Sequence, residues 1–330
     1  MKCAVLGAGA WGAALADRLA RNAHEVRLWA YEPDVAQSVN DAHRNRFLAG
    51  VELSPSIVAS TEMKDVVGGA QFVVLVAPSH VTRAVAEAAQ PHLSRDAVVV
   101  VASKGIEQHS LARMTEIAAD VFGRSGAVAL SGPTFAAEVA RNQPTAIVAA
   151  CSERAPAEQV QQLFHGPAFR VYTQHDVVGV ELGGAVKNVM AVATGIAEGL
   201  GLGFNARAAL ITRGLAEMTR LGVALGADPA TFAGLAGMGD LVLTCTGQLS
   251  RNRSLGVEIG SGKTLDEALA GRDTVAEGVI TTRSARELAE RGGVDMPIVE
   301  AVFSVLFDGQ APRDAIVDLM NRDPRPERDE

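Results

Sequence analysis

The sequence predicts an α/β protein in which a domain with a doubly wound, mainly parallel sheet precedes a C-terminal all-helical domain. Apolar strand-like runs alternate with helix-like segments through the first half of the 330-residue chain, as in repeated strand–helix–strand units. Beyond about residue 175, Ala-, Leu- and Gly-rich stretches with helical periodicity take over. We therefore predict a sheet domain over residues 1–175, a helical domain over 176–320, and a charged, Pro-broken tail over 321–330 that is disordered.

Strands of the first domain are predicted wherever a short apolar run occurs between helix-like segments. The runs at 71–78 and 96–103 are apolar throughout, as expected for strands that helices cover on both faces. The remaining predicted strands span 3–7, 25–30, 126–133 and 145–150, and the predicted helices between strands span 11–22, 80–90 and 110–122.

Helices of the second domain are indicated by apolar periodicity and by residues typical of helix ends. The segment 205–222 starts at Asn205, a candidate N-cap, and Pro297 stands at the start of the segment 297–309. Residues 183–195 form a further helix-like run that is almost wholly apolar and contains Lys187. Other helices are predicted over 228–237, 264–271 and 281–293.

The composition indicates a soluble, globular protein and argues against several classes of function. Hydrophobic residues make up 48% of the chain and charged residues 21%. We find no uninterrupted bilayer-spanning stretch and no signal-peptide pattern, so we expect a cytoplasmic protein without an integral membrane segment. The net charge of -8 disfavours a nucleic-acid partner. The scattered cysteines and histidines predict neither a disulfide framework nor a metal site.

A glycine-rich turn stands directly between the first predicted strand and the first predicted helix. Gly7, Gly9 and Gly12 in GAGAWG match the pattern GxGxxG. This context favours a Rossmann-like dinucleotide-binding turn over a glycine turn without a ligand. At the end of the second strand, Tyr31 stands where an acid would bind ribose hydroxyls or an arginine a 2′-phosphate, and Glu32 follows it. The predicted cofactor is therefore NAD or NADP.

Lys187 is the residue of the helical half that most needs a chemical explanation. Only five of the 30 basic side chains are lysines, and an ammonium in apolar surroundings is costly unless it is paired or has a shifted pKa. Lys187 is therefore either a catalytic amine or a snorkelling side chain. Asp240 follows a Gly-x-Gly turn, precedes an apolar run, and would be a natural partner for it.

Further candidate residues lie beyond predicted strand ends and in the helical half. Lys104 in SKGIE either binds a carbonyl or phosphate or is a solvated loop lysine. The stretch SGPTF at 131–135 either presents free backbone N–H groups to the cleft or is an ordinary helix start. The stretch SRNR at 250–253 suits a phosphate but also fits a polar helix start. Glu277 in VAEG is either a further residue of the site or a surface acid.

Several long blocks of the sequence resemble the bacterial NAD(P)-dependent glycerol-3-phosphate dehydrogenases. The blocks include SKGIE, SGPTFAAE, GGAVKNVMAVATG, NARAALITRG and GDLVLTCTGQLSRNRSLG, and the match runs from the first residues to about residue 320. The resemblance implies reversible hydride transfer between dihydroxyacetone phosphate and sn-glycerol 3-phosphate, which supplies glycerophospholipid synthesis. It also implies a cytoplasmic enzyme that is commonly a homodimer.

The resemblance assigns roles to individual residues. Lys187 corresponds to the catalytic lysine, and Asp240 would aim its amine. Tyr31 stands where the family often has His or Arg, and Ala10 where Ser is usual. The implied substrate-binding residues are Lys104, Gly132, Thr134, Lys187, Asp240, Ser250, Arg251 and Asn252. With Gly7, Gly9, Gly12 and Tyr31, the cofactor-binding residues are Ala10, Trp11, Lys104, Ala136, Arg251, Val275 and Glu277.

The mechanistic hypothesis is that Lys187 transfers a proton at the oxygen on C2 of the substrate. Its ammonium would donate during reduction, and its neutral amine would accept during oxidation. Arg251 and Asn252 would anchor the phosphate, which converts remote binding into orientation at C2. Two alternatives remain: a related hydroxy-acid dehydrogenase, which would bind a carboxylate, and a non-catalytic nicotinamide-binding redox sensor, which would not need Lys187.

Overall fold

The N-terminal part of the protein is built on one eight-stranded sheet. The computed structural model describes residues 1–272, 276–324 and 326–327. The strands are β1 (Lys2–Leu6), β2 (Glu25–Trp29), β3 (Ile57–Ser60), β4 (Phe72–Leu75), β5 (Val98–Val101), β6 (Val128–Ser131), β7 (Thr145–Ala150) and β8 (Phe169–Gln174). Their order is β3-β2-β1-β4-β5-β6-β7-β8. The strands from β1 to β6 are parallel, β7 is antiparallel to β6, and β8 is parallel to β7. The doubly wound, mainly parallel sheet is confirmed.

Helices cover the sheet and form the rest of the chain. In the first part they are α1 (Ala10–Arg21), α2 (Pro33–Ala42), α3 (Met63–Val67), α4 (Thr82–Ala89), α5 (Met114–Phe122), α6 (Ala136–Ala140) and α7 (Arg154–Phe164). After the sheet they are α8 (Val177–Gly199), α9 (Phe204–Ala224), α10 (Pro229–Phe232), α11 (Asp240–Thr246), α12 (Arg251–Gly260), α13 (Leu265–Leu269), α14 (Glu277–Gly292), α15 (Pro297–Phe307) and α16 (Pro312–Met320). The helical C-terminal region is confirmed.

Some local expectations differ from the structure. The start of α9 is not capped by Asn205, because the helix begins one residue earlier and Gly203 occupies the N-cap position, where its carbonyl accepts from the amide of Arg207 at 3.3 Å. The strands β3 and β8 and the helices α2, α3, α7, α11 and α16 are not predicted from the sequence, and of α12 only a possible polar start is. In the predicted tail, Arg322 forms an ion pair with Asp295, while residues 325 and 328–330 lie outside the described part of the chain.

Helix α8 is the central element of the helical region. Every residue from Gly179 to Ala197 is buried, and most apolar side chains of this stretch belong to the second large hydrophobic cluster of the protein. By length and composition alone α8 could cross a membrane, and within the described residues it is the one helix of which this is true, but 89% of its apolar window is packed inside the protein. The core helix of a folded domain meets the same criteria.

Glycines bring α8 and α12 into unusually close contact. Gly195 on α8 lies against Gly256 on α12, and Gly199 lies against Gly260. A Cβ atom on any of these four residues would collide with the backbone of the other helix. Since the paired residues follow the same order along both helices, α8 and α12 run in the same direction. The N-terminus of α12 therefore lies beside the middle of α8, where Asn188 follows Lys187.

Candidate active site

The side chain of Lys187 lies inside the protein, against the start of α11. It is 6% exposed. Its Nζ atom donates to Oδ1 of Asp240 at 2.6 Å and to Oγ1 of Thr244 at 2.7 Å. Asp240 is completely buried. The ion pair expected between the two residues is therefore present, and a snorkelling Lys187 is ruled out.

A π-helical turn places Asp240 at the first position of α11. The turn spans Leu235–Gly239, and such turns occur frequently at functional sites. Within it, a Cβ atom on Gly237 would collide with the backbone of Phe232. The N-terminus of a helix carries partial positive charge, which favours a carboxylate in this place. The turn thus positions the Asp240 carboxylate beside α8, and the N-terminus of α11 offsets part of the cost of burying its charge.

Lys104 approaches the same carboxylate from the sheet. It follows β5, and its Nζ atom donates to Oδ2 of Asp240 at 2.7 Å and to the carbonyl of Gly132 at 2.9 Å. Gly132 follows β6 with a φ of 149°, a conformation that favours glycine, and Thr134 donates its hydroxyl to the same carbonyl at 3.1 Å. Lys104 is thus not a solvated loop lysine: one aspartate joins two ammonium groups from the two halves of the chain.

The environment of Lys187 lowers the pKa of its amine to about 8. Burial is the main cause, because an apolar interior disfavours the charged form. The nearby positive charge of Lys104 lowers the pKa further, whereas the carboxylate of Asp240 opposes both effects. The amine can therefore hold or release a proton near neutral pH, as an acid–base group must.

The N-terminus of α12 brings SRNR to the same region. Ser250 is the N-cap, and its hydroxyl accepts from the amide of Arg253 at 3.3 Å, so this stretch is indeed a polar helix start. Asn252 donates to Oδ1 of Asn188 at 2.9 Å and accepts from the amide of Gly278 at 3.0 Å. Arg251 is exposed, and no carboxylate in the described ranges lies within ion-pair distance of its guanidinium. A polar helix start and an anion site are therefore compatible here.

The glycine turn fits the pyrophosphate of a dinucleotide. Gly9 is the N-cap of the 12-residue α1, its side of the turn is open, and no side chain caps the helix. Gly7 has a φ of 130°, and a Cβ atom on Gly12 would collide with the carbonyl of Gly7. The first amides of α1 are therefore available to an anion at the positive end of the helix. Near the same helix start, the buried Nε1 of Trp11 has no hydrogen-bond partner among the described residues.

The other predicted cofactor residues lie in different environments. Glu277, at the start of α14, is not a surface acid: it accepts from the amide and the hydroxyl of Ser79 at 2.9 and 2.6 Å, and burial raises its pKa. Tyr31 is 79% exposed beyond the end of β2. Ala10 begins α1 and Ala136 begins α6, and both are half-buried. Val275 lies outside the described residues.

Sequence reasoning missed several residues that complete this arrangement. Thr244, Asn188 and Ser79 each hydrogen-bond to a predicted site residue. Their signals were weak: Thr244 stands one helical turn after Asp240, and Asn188 directly follows Lys187. Across residues 1–272, 276–324 and 326–327, no group of three or more His, Cys, Asp or Glu side chains could hold a metal ion.

Comparisons with known proteins point to one family. Residues 2–157 match the family model described as "NAD-dependent glycerol-3-phosphate dehydrogenase N-terminus", and residues 176–317 match the corresponding C-terminus. The chain is 53% identical over 325 residues to a protein named glycerol-3-phosphate dehydrogenase [NAD(P)+] from Geobacter sp. (strain M21), covering 97% of both chains. It is 52% identical to one of the same name from Syntrophotalea carbinolica over 100% of both. A crystal structure of glycerol-3-phosphate dehydrogenase from Coxiella burnetii is similar with a TM-score of 0.93 and 39% identity, over 97% of this chain and 98% of the other.

Proposed function

Because this chain belongs to the family of NAD-dependent glycerol-3-phosphate dehydrogenases, we propose that Lys187 is its proton-transferring residue and that Lys104, Asp240 and α12 assemble the substrate site around it. The protein is an NAD(P)-dependent oxidoreductase that interconverts dihydroxyacetone phosphate and sn-glycerol 3-phosphate. The observation that carries the site assignment is the buried Lys187–Asp240–Lys104 arrangement.

Proton transfer falls to Lys187. The nicotinamide cofactor supplies or accepts the hydride at C2. During reduction negative charge develops on the C2 oxygen, and the ammonium of Lys187 stabilises that charge and donates a proton. During oxidation the neutral amine removes the proton from the hydroxyl. Asp240 and Thr244 hold the amine in one orientation, since both accept hydrogen bonds from it.

Binding of the substrate phosphate falls to the start of α12 and to the loop after β6. Arg251 supplies a guanidinium with no ion-pair partner in the described part of the chain, which suits a phosphate dianion. Asn252 and Ser250 stand beside it, and Gly132 and Thr134 border Lys104. Anchoring the phosphate away from C2 converts binding energy into orientation at the reacting carbon.

The cofactor is held by the turn before α1. The backbone of Gly7, Gly9 and Ala10 receives the pyrophosphate there. Further contacts come from residues around the cleft, namely Trp11, Gly12, Tyr31, Lys104, Ala136, Arg251 and Glu277; the family resemblance adds Val275, which lies outside the described residues. Family membership further supports a cytoplasmic homodimer that supplies phospholipid synthesis. The net charge of -8 supports the absence of a nucleic-acid partner.

A spectrophotometric assay tests the activity. We expect oxidation of NADH or NADPH to require dihydroxyacetone phosphate and to be slow with 2-keto acids, which carry a carboxylate instead of a phosphate. Turnover of 2-keto acids in preference to dihydroxyacetone phosphate would instead identify a hydroxy-acid dehydrogenase. Cofactor binding without turnover of either substrate would identify a redox sensor.

A further inference from the structure

A charged cluster lies at the carboxyl end of β2 and takes no part in the site around Lys187. Its cation is Arg46, on the loop after α2. The loop is fixed to the glycine turn, because Asn45 is buried and donates to the carbonyl of Ala8 at 2.8 Å. The turn is in turn joined to β2, because the amide of Gly7 donates to the carbonyl of Trp29 at 3.2 Å. Arg46 therefore belongs to the edge of the sheet that receives the dinucleotide.

The guanidinium of Arg46 is engaged on three sides. Its Nη1 atom forms an ion pair with Asp34, and its Nη2 atom lies 4.0 Å from a carboxylate oxygen of Glu32. The plane of the group stands over the ring of Phe47, with 4.8 Å between Cζ and the ring centroid. Two carboxylates and one guanidinium give this cluster a formal charge of minus one.

Glu32 keeps capacity to accept further hydrogen bonds. It is the N-cap of α2, yet its side chain caps no backbone amide. Its contact with Arg46 is the longer of the two ion pairs, and 35% of its side chain is exposed. An acid near the end of the second strand of such a sheet binds the hydroxyls of the adenine ribose. Glu32 is thus placed to accept from a ribose that carries both hydroxyls.

We propose that Glu32, Asp34 and Arg46 make this enzyme select NAD(H) over NADP(H), a step that rests on the proposed function. A 2′-phosphate would bring close to two negative charges to a cluster that is already negative. Arg46, the cation of this cluster, already pairs with Asp34 and lies 4.0 Å from Glu32, so a 2′-phosphate would have to compete with two carboxylates for it. The carboxylates thus have two effects. They accept hydrogen bonds from the unphosphorylated adenine ribose of NAD, and they compete with the 2′-phosphate of NADP for Arg46.

Direct binding measurements on the purified protein test this selection. The chain has two tryptophans; Trp11 lies at the glycine turn and Trp29 at the end of β2, so energy transfer from tryptophan reports NADH and NADPH without turnover. At physiological ionic strength we expect NADH to bind at least about tenfold more tightly. Equal affinities, or tighter binding of NADPH, would overturn the selection but leave the activity intact. Binding of neither cofactor would contradict the proposed function itself.

Variants separate a specific arginine from a general charge effect. In the double variant Glu32→Gln with Asp34→Asn, we expect the Kd of NADPH to fall about tenfold and that of NADH to rise, because Arg46 is released. Adding Arg46→Ala should abolish the gain for NADPH. The matched control is Asp41→Asn, which removes an exposed carboxylate from the other end of α2 and should leave the ratio unchanged.

Three results would contradict the assignment. The higher affinity for NADPH could persist in the triple variant without Arg46, or Asp41→Asn could raise that affinity as much. Either result would show that only the net charge matters. In the otherwise unchanged protein, Arg46→Ala could weaken NADPH at least about tenfold, which would show that Arg46 already binds the phosphate. Because all three side chains are at least one-third exposed, melting temperatures near that of the parent protein will verify that each variant is folded.

Discussion

The amine of Lys187 and the carboxylate of Asp240 meet at 2.6 Å inside the protein. The other oxygen of that carboxylate is occupied by Lys104, so a single negative charge faces two ammonium groups. Lys104 remains partly exposed, with 16% of its side chain accessible, whereas Lys187 is 6% exposed. Burial keeps the pKa of Lys187 low and the charge of Lys104 lowers it further, while the hydrogen bonds to Asp240 and Thr244 fix the position of the amine. Asp240 therefore acts on both the position of this amine and its proton affinity.

Replacing Lys187 by alanine should remove the proton transfer and leave cofactor binding intact. General acid–base groups contribute about 100- to 10,000-fold to a rate, and we expect a loss of kcat in that range for dihydroxyacetone phosphate reduction. Asp240 keeps Lys104 as a partner in the variant, so the fold should survive. Lys263→Ala, which removes an exposed lysine paired with Glu258, is the control and should retain full activity. A near-normal kcat for Lys187→Ala would contradict the assignment.

The two directions of the reaction should depend on pH in opposite ways. Reduction needs the ammonium form of Lys187, so its kcat should fall as the pH rises through about 8. Oxidation needs the neutral amine, so its kcat should rise through the same range. Asp240→Asn removes the carboxylate that raises this pKa. The fall of kcat for reduction and the rise of kcat for oxidation should therefore both move to lower pH.

Steady-state measurements of kcat against pH in both directions will show these two transitions. Asp266→Asn, which removes an exposed carboxylate from α13, is the control and should not move them. If either transition in kcat of Asp240→Asn stayed in place or moved to higher pH, a group other than Lys187 would be titrating.

Truncating Arg251 should weaken binding of the phosphorylated substrate much more than it slows chemistry. A hydrogen bond to a charged group contributes about 1.5–3 kcal/mol, so Arg251→Ala should raise KM for dihydroxyacetone phosphate by about 10- to 100-fold. At saturating cofactor, turnover of dihydroxyacetone, which lacks the phosphate, should hardly change. Arg154→Ala removes an exposed arginine from α7 and serves as the control. An unchanged KM in Arg251→Ala would exclude the residue from the phosphate site.

The sheet was predictable where its strands are buried on both faces. The four-residue β4 and β5 are almost wholly apolar and nearly fully buried, and such runs have few alternative structures. The strands that were missed, β3 and β8, lie at the two edges of the sheet, and both alternate buried with more exposed positions. The reversed direction of β7 was not predictable from its own residues. It depends on how the connection from β6, which contains the five-residue α6, returns to the sheet.

The pairing of Lys187 with Asp240 was predictable because a lysine is unusual in such apolar surroundings. A lysine in an apolar helix requires a partner, and Asp240 followed a turn that could turn it inward. The contact between Ser79 and Glu277 carries no such signal, because it joins residues 198 positions apart and each is ordinary in its own segment. A contact between distant parts of the chain can be inferred from local patterns only where one residue, such as Lys187, is unusual in its own segment.

Replacing Glu181 by glutamine should change how stability depends on pH. Glu181 on α8 accepts from the amide and the hydroxyl of Thr115 at 2.8 and 2.5 Å, and burial raises its pKa to about 7 from an ordinary value of 4.5. Between these values the unfolded chain releases the proton while the folded chain keeps it, so this carboxyl contributes less stability as the pH rises. The glutamine does not titrate.

Urea denaturation between about pH 5 and about pH 7.5 measures this effect. The free energy of unfolding of Glu181→Gln should improve relative to the parent protein as the pH rises. The control Glu87→Gln replaces an exposed glutamate on α4 and should show a constant difference. A difference for Glu181→Gln that does not vary with pH would contradict the raised pKa.

The close approach of α8 to the end of β6 should make Gly184 and Ser131 energetically coupled. A Cβ atom on Gly184 would lie 2.5 Å from Oγ of Ser131, and that buried hydroxyl has no partner among the described residues. Gly184→Ala should therefore cost about 1–3 kcal/mol of stability through overpacking. It should also lower kcat, because Lys187 lies one turn further along α8. Ser131→Ala alone should be nearly neutral, since it removes a polar group that makes no hydrogen bond.

The double variant distinguishes this contact from a general intolerance of α8 to alanine. Without the hydroxyl of Ser131 the new methyl group has space, because the next atoms it would meet, in the side chain of Lys104, are 3.6 Å away. Gly184→Ala with Ser131→Ala should therefore recover most of the lost melting temperature and kcat, with a coupling energy of about 1–2 kcal/mol. A double variant as impaired as Gly184→Ala alone would mean that the hydroxyl is not what limits the approach of the helix that carries Lys187.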